Sequence, residues 1–139
     1  MYRKILVAND GSPGALKALT AGIALARLDG AALHMVTVEA LPRFPATIDE
    51  VEETKAEENH RFAPVIDAAR AQAQAAGVAI EAHLLPGHPV HSIVAFVTEQ
   101  NFDLLVVGFM GHTQLYQQII GGTADRLVRL APCAVLVVK

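Results

Sequence analysis

The stretch KILVANDGSPGALKALTAGIALARLDGAALHMVTV, from Lys4 to Val38, decides the fold. It opens on an almost wholly apolar run, Lys4–Ala8 (KILVA), and closes on a second run, Ala32–Val38 (ALHMVTV). Between them the pattern predicts a helix. Ser12 is placed to cap it, and Pro13 suits the first helical position, where no backbone N–H is needed. Ala15, Leu16, Leu19, Ile23 and Leu25–Ala26 give a helical apolar face, and Gly30 ends it. Strand, helix, strand is a crossover unit, and a crossover sets its two strands parallel.

The same alternation continues outward. Further strands are expected at Val78–Leu85 (VAIEAHLL), Asp103–Gly108 (DLLVVG) and Ala134–Val138 (AVLVV). The first, fourth and fifth runs are nearly all apolar, as in strands buried on both faces of a parallel sheet. The third alternates more, which points to a sheet edge. LPRFP (Leu41–Pro45) reads as a loop. Thr47 with Glu50 looks like a capping box, and Asp49, Glu50, Glu52 and Glu53 suit a helix N-terminus. That helix runs to Gly77, with a kink or restart expected at Pro64. A third helix begins near Pro89 and carries Ile93, Val94, Phe96 and Val97. A fourth begins near Gly121 or Gly122 and carries Leu127, Val128 and Leu130. The order is β-α-β-α-β-α-β-α-β, which predicts an open, doubly wound parallel α/β sheet. One domain is expected over residues 1–139.

Composition narrows the function classes. Hydrophobic residues make up 53% of the 139 and charged residues 18%, enough for a core and against disorder. The net charge of −3, with scattered basic residues, gives no footprint for nucleic acid or an anionic membrane. No apolar run is long enough to span a bilayer, and the N-terminus lacks a signal-peptide core. The single cysteine, Cys133, forms no internal disulfide and no CxxC pattern. A cytoplasmic protein is expected.

Ligands of such sheets bind where strands end, near the point of strand-order reversal. Strand one ends at Asn9-Asp10-Gly11-Ser12. Asp10 is either a ligand for a base, a ribose or a cation, or a turn residue, since Asp-Gly is a common turn pair. Strand four ends at Gly108, and Gly121-Gly122-Thr123 opens the last helix. A helix N-terminus offers unpaired N–H groups and a positive dipole end to phosphate. The glycines are equally consistent with a flexible hinge. There is no G-x-x-x-x-G-K-[ST] and no G-x-G-x-x-G after strand one, so neither standard nucleotide loop is present. NDGSPGA also fails to supply the SGGxDS-like loop of pyrophosphate-forming synthetases.

The spacing that does occur is Gly-x2-Gly-x9-Gly, at Gly108, Gly111 and Gly121. With it the chain resembles the nucleotide-binding branch of the universal stress protein (UspA-like) family. KILVANDGS resembles the family's ILV-x-x-D-G-S opening and LHMVTV its second strand. LLPGHPVHSIVAFV resembles its G-x-P-x-x-x-I helix entry, and LAPCAVLVVK its APCPVLVV ending. The resemblance covers the whole chain. It implies an adenine nucleotide alpha hydrolase-like fold, a five-stranded parallel sheet with helices on both faces. It also implies ATP, with or without Mg²⁺, as ligand. Ala8, Asn9, Asp10 and Met35 would contact the adenosine portion. Gly108, Gly111, Gly121, Gly122 and Thr123 would hold ribose and phosphates, with Gly87 lining the cleft and His112 placed to face a phosphate. Gly122 departs from the pattern, which has Ser or Thr directly after the third glycine. Thr123, one residue later, is the candidate substitute. Phe109 and Met110 stand where polar or basic residues are common.

Other constellations are weaker. His88 and His91 have i, i+3 spacing but lack a third metal ligand, so no metal site is expected. His34 reads as a packed histidine, and His60 and His83 give no constellation. Cys133 reads as packed rather than nucleophilic. Leu115, Tyr116, Ile119 and Ile120 have the spacing of one apolar helical face, either packed on the domain or exposed as a lid or partner surface. Asp10 and Thr123 together suit Mg²⁺-phosphate and thus slow hydrolysis, but no residue stands out as a general base. The expectation is an ATP-binding stress sensor or regulator with little or no turnover. The alternative is an interaction module of the same fold that does not bind ATP. The family habit of pairing through the last strand implies a homodimer through Ala134–Val138.

Overall fold

The computed structural model describes residues 1–40, 48–110 and 120–139, with residues 48–60 described by backbone alone. Five strands form one sheet: β1 (Lys4–Ala8), β2 (Ala32–Glu39), β3 (Ile80–Pro86), β4 (Leu104–Gly108) and β5 (Ala134–Val138). Their order is β3-β2-β1-β4-β5, and every neighbouring pair is parallel. Four helices connect them: α1 (Pro13–Asp29), α2 (Ile48–Ala75), α3 (Pro89–Gln100) and α4 (Gly122–Leu130). The expected doubly wound α/β sheet is present.

Each face of the sheet carries its own core, set by strand parity. Ile5, Val7, Leu33, Met35, Leu104 and Val106 pack against Leu19 and Ile23 of α1 and Ala69 and Ala73 of α2. Leu6, Val36, Leu105 and Val107 pack against Val90, Ile93 and Val97 of α3 and Leu127 of α4. Ile5, Leu6 and Val7 are fully buried, as a central parallel strand requires.

The helix α1 forms as its sequence predicts. Ser12 Oγ accepts from the Ala15 N–H at 3.2 Å, and Pro13 takes the first position. Gly30 closes the helix with φ 62°, a left-handed conformation that most side chains resist. Leu16 departs from expectation. It is 46% exposed, because Ala15, Leu19, Ile23 and Ala26 already fill the buried stripe.

Three other expectations are corrected. Of the kink or restart expected at Pro64, the restart does not occur: α2 is one helix from Ile48 to Ala75 with Pro64 inside it. Val128 and Leu130 stay exposed, and α4 buries only Ala124 and Leu127. β5 is not buried on both faces: it is the second edge of the sheet, opposite β3. An apolar run reports a strand, while its place in the sheet depends on which strands bond to it. Thr47 of the expected capping box lies outside the described residues, as do Leu115, Tyr116 and Ile119, and Glu50 is described by backbone alone. No described helix is long and apolar enough to cross a membrane.

Candidate functional site

Strand order reverses between β1 and β4, since the chain winds outward from β1 through β2 to β3 and from β4 to β5. A cavity of about 400 Å³ opens at the carboxyl ends of β1, β2 and β4. This is the position that the winding of such a sheet leaves uncovered. Ala8, Asn9 and Asp10 line it from the end of β1, and Val36, Val38 and Ala40 from β2. Gly108 lines it from the end of β4. Gly121, Gly122 and Thr123 contribute the start of α4.

The β1 exit is a built turn. Asn9 Oδ1 accepts from the Gly11 N–H at 2.9 Å, and its amide contacts Met35 Sδ at 3.3 Å. The Asn9 carbonyl accepts from the Thr37 hydroxyl at 2.8 Å, and its N–H donates to the Val36 carbonyl at 2.9 Å. Asn9 is 2% exposed, so it acts as a scaffold that ties β1 to β2. Asp10 is exposed, and its Oδ1 accepts from the Ser12 N–H at 2.9 Å. It is therefore a turn residue, and it also places its carboxylate on the cavity wall.

Gly108 has a packing reason to be glycine. A Cβ there would stand 2.5 Å from the Gly14 carbonyl carbon and 2.6 Å from its oxygen. A Cβ on Gly14 would in turn meet the backbone oxygen of Met110. The end of β4 thus touches the first turn of α1 backbone to backbone. Beyond it, the Phe109 N–H donates to the Val138 carbonyl at 2.9 Å, and the Phe109 carbonyl accepts from the Gly121 N–H at 2.8 Å. These bonds hold Gly121 beside the exit of β4.

Gly121 is the N-cap of α4, and it supplies no side-chain cap. Gly121, Gly122, Thr123 and Ala124 all line the cavity, so the N-terminus of α4, with the positive end of the helix dipole, borders it. Thr123 adds an exposed hydroxyl. A Cβ on Gly122 would meet nothing within 4 Å, so packing does not demand glycine there. Gly111 and His112 lie outside the described residues.

Two expected positions fall elsewhere. Met35 is fully buried in the core between the sheet and helices α1 and α2, and it does not line the cavity. Val36 and Val38 line the cavity instead. Gly87 does not line it; its N–H donates to the Glu39 carbonyl at 2.9 Å, while Pro89 reaches the wall. Among the lining residues that the sequence reading did not single out, two come from a helix far from the strand ends in sequence. Arg61 and Phe62 come from α2, with the guanidinium 5.0 Å from the ring centre. No spacing motif marks them, because only the docking of α2 brings them to the strand ends.

Burial pushes the Cys133 thiol up, against a backbone hydrogen bond that lowers it. A raised thiol is a poor nucleophile, which agrees with a packed residue. His34 and His83 do form a constellation, contrary to expectation. Their rings meet across β2 and β3 at 2.9 Å, with Glu81 beside them.

Comparison with known proteins fits this geometry. The universal stress protein family model matches residues 1–139. The universal stress protein MJ0531 of Methanocaldococcus jannaschii is 32% identical over 144 residues, covering 100% of this chain and 83% of that protein. The structure of UspA from Lactobacillus plantarum superposes with a TM-score of 0.86 at 25% identity, over 99% of this chain and 98% of that one. A universal stress protein solved in complex with cAMP aligns with a TM-score of 0.77 at 27% identity, over 99% and 97%. By its sheet order, by the glycine spacing after β4 and by these matches along its whole length, the chain belongs to the universal stress protein family.

Proposed function

We propose that this protein binds an adenine nucleotide, ATP, across the ends of β1 and β4, and acts as a stress-response sensor or regulator with little or no turnover. The observation that carries this is the cavity at the strand-order reversal, closed at one end by the uncapped N-terminus of α4. Its volume of about 400 Å³ is in the range of small-molecule sites. Its two ends differ in chemistry. Val36, Val38 and Ala40 offer an apolar wall to the adenine. Gly122 and Thr123 offer backbone N–H groups and a hydroxyl to ribose and phosphates, with Gly108 and Gly121 lining the same end without side chains. Asp10 serves the ribose or a Mg²⁺ ion held by the phosphates, and Arg61 adds a cation to the same wall. The cAMP complex of a family member supports the ligand class.

The test is a titration of purified, nucleotide-stripped protein with ATP. Saturable binding in the millimolar range or below is expected, and loss of it in Gly121→Val. Gly121 has φ −60° and ψ 150°, a backbone that valine also adopts, so lost binding reports the cradle and not a strained turn. No binding at millimolar ATP, or binding unchanged in Gly121→Val, overturns the assignment and leaves the interaction module of the same fold. Phosphate release above the blank, abolished in Asp10→Ala, would make it a hydrolase. Ligand-dependent association is proposed to run through a homodimer paired at Ala134–Val138, where β5 presents a sheet edge.

A further inference from the structure

We propose that His34, Glu81 and His83 form a binding site for a divalent metal of borderline hardness, zinc being the reference ion, on the β2–β3 edge of the sheet. The site is separate from the nucleotide cavity and does not depend on it, since none of the three residues lines that cavity.

The backbone register assembles the three donors. β2 and β3 are parallel, with His34 opposite Glu81 and Val36 opposite His83. Side chains at 34, 81 and 83 therefore project from one face of two bonded strands. One ligand atom from each residue lies within 4.8 Å of the others. His34 Nδ1 is 2.9 Å from His83 Nε2 and 3.5 Å from Glu81 Oε2. A tetrahedral zinc site with bonds of about 2.0–2.1 Å needs donor-to-donor edges of about 3.3 Å. The two observed separations bracket that edge.

The contact at 2.9 Å is a hydrogen bond, and the ring planes differ by 6°. One ring donates an N–H to the lone pair of the other. An ion would take the place of that proton, with small rotations of the rings to aim both lone pairs at it, and the Glu81 carboxylate would balance its charge. His83 and Glu81 are on an edge strand, and the Glu81 side chain is 68% exposed, so an ion reaches the site from solvent.

The surroundings hold the rings. Phe102 meets His34 edge-on at 5.1 Å, and Phe96 of α3 meets His83 at 4.7 Å. Burial pushes the His34 pKa down, Glu81 pushes it up, and His83 and Lys4 push it down again. Lys4 is the opposing charge, but its ammonium is drawn to the Gln100 carbonyl at 2.6 Å and lies over the Phe102 ring. Two imidazoles and one carboxylate leave a fourth position for water, a donor set that zinc accepts.

The experiment uses the full chain, stripped of metal by chelator and exchanged into chelator-free buffer. It is titrated with ZnCl₂ by calorimetry and with CoCl₂ by visible absorption. One ion per chain is expected, with the intense absorption of tetrahedral cobalt. His83→Gln and Glu81→Gln are each expected to weaken zinc by more than tenfold, since even outer-sphere partners of a zinc ligand cost about 10–100-fold when removed. Both positions are on the edge strand β3, and circular dichroism checks that the variants fold. His88→Gln with His91→Gln is the control and should leave the affinity unchanged. Absence of zinc binding, or affinity retained in the Glu81→Gln/His83→Gln double variant, overturns the proposal and leaves a hydrogen-bonded histidine pair.

Discussion

Gly122→Ser tests the cradle by adding what the family pattern has and this chain lacks. Gly122 is the first residue of α4, next to the Gly121 cap. A Cβ at this position meets nothing within 4 Å, so serine enters without displacing a neighbour. Its hydroxyl then stands at the mouth of the helix, where the phosphates are proposed to lie. One neutral hydrogen bond contributes about 1 kcal/mol, which is roughly fivefold in Kd. A second effect acts on the ligand-free protein. Serine has about 0.5 kcal/mol less helix penalty than glycine, which corresponds to about 1–2 °C in Tm for a chain of this size. Two assays separate the effects: calorimetric ATP titration with Mg²⁺, and thermal unfolding without nucleotide. The expected result is a fivefold tighter Kd with a small rise in Tm. Thr123→Ala should weaken ATP by a similar factor in the parent chain, and by less in Gly122→Ser, because the two hydroxyls would serve one phosphate. A rise in Tm with Kd unchanged would refute the placement of residue 122 beside a phosphate. Equal effects of Thr123→Ala in both backgrounds would refute Thr123 as the substitute.

Three further outcomes follow from particular contacts. Gly108→Ala should destabilise the fold by about 1–3 kcal/mol, since its Cβ would press on the Gly14 backbone and not on a side chain that can turn away; urea unfolding measures this, and parent-like stability would show that the close approach is not required. Burial alone would raise the pKa of Asp103, but the Arg3 and Lys4 N–H groups at 2.8 and 3.0 Å, with the Arg3 charge, outweigh it and hold the carboxyl below its ordinary value. A depressed carboxylate stabilises the fold fully above its unfolded pKa and loses that contribution as pH falls through the folded one, so Asp103→Asn should flatten the acid limb of a stability–pH curve. Leu136, 37% exposed on β5, is the residue that tests the proposed homodimer: the parent chain should sediment as a dimer and Leu136→Arg as a monomer, and a monomeric parent or an unchanged dimer in the variant would exclude β5 as the contact.

Much of the fold was legible because its signals are local. Ser12, Pro13 and Gly30 act within a helical turn of themselves, so cap, first position and stop could be read directly. The apolar runs at Lys4–Ala8 and Ala134–Val138 marked those two strands to the residue. The same runs misjudged β5, because solvent exposure of a strand depends on whether another strand bonds to its far side. The glycine spacing named the loop and cap positions, but it did not say why Gly108 must be glycine. That reason lies in the Gly14 backbone, far off in sequence.

The sequence by itself determined the alternation of strands and helices, the parallel sheet it compels, and the presence of a glycine-rich exit after β4 beside an aspartate exit after β1. Tertiary structure alone decided which face of each strand meets the cavity. Strand side chains alternate, so one step of parity puts Val36 on the wall and Met35 in the opposite core. It also decided that Arg61 and Phe62 of α2 reach the strand ends, and that His34 meets His83 across 49 residues of chain. Neither meeting leaves a local trace, because both depend on packing and strand pairing between elements whose own sequences fold correctly whichever partner they find.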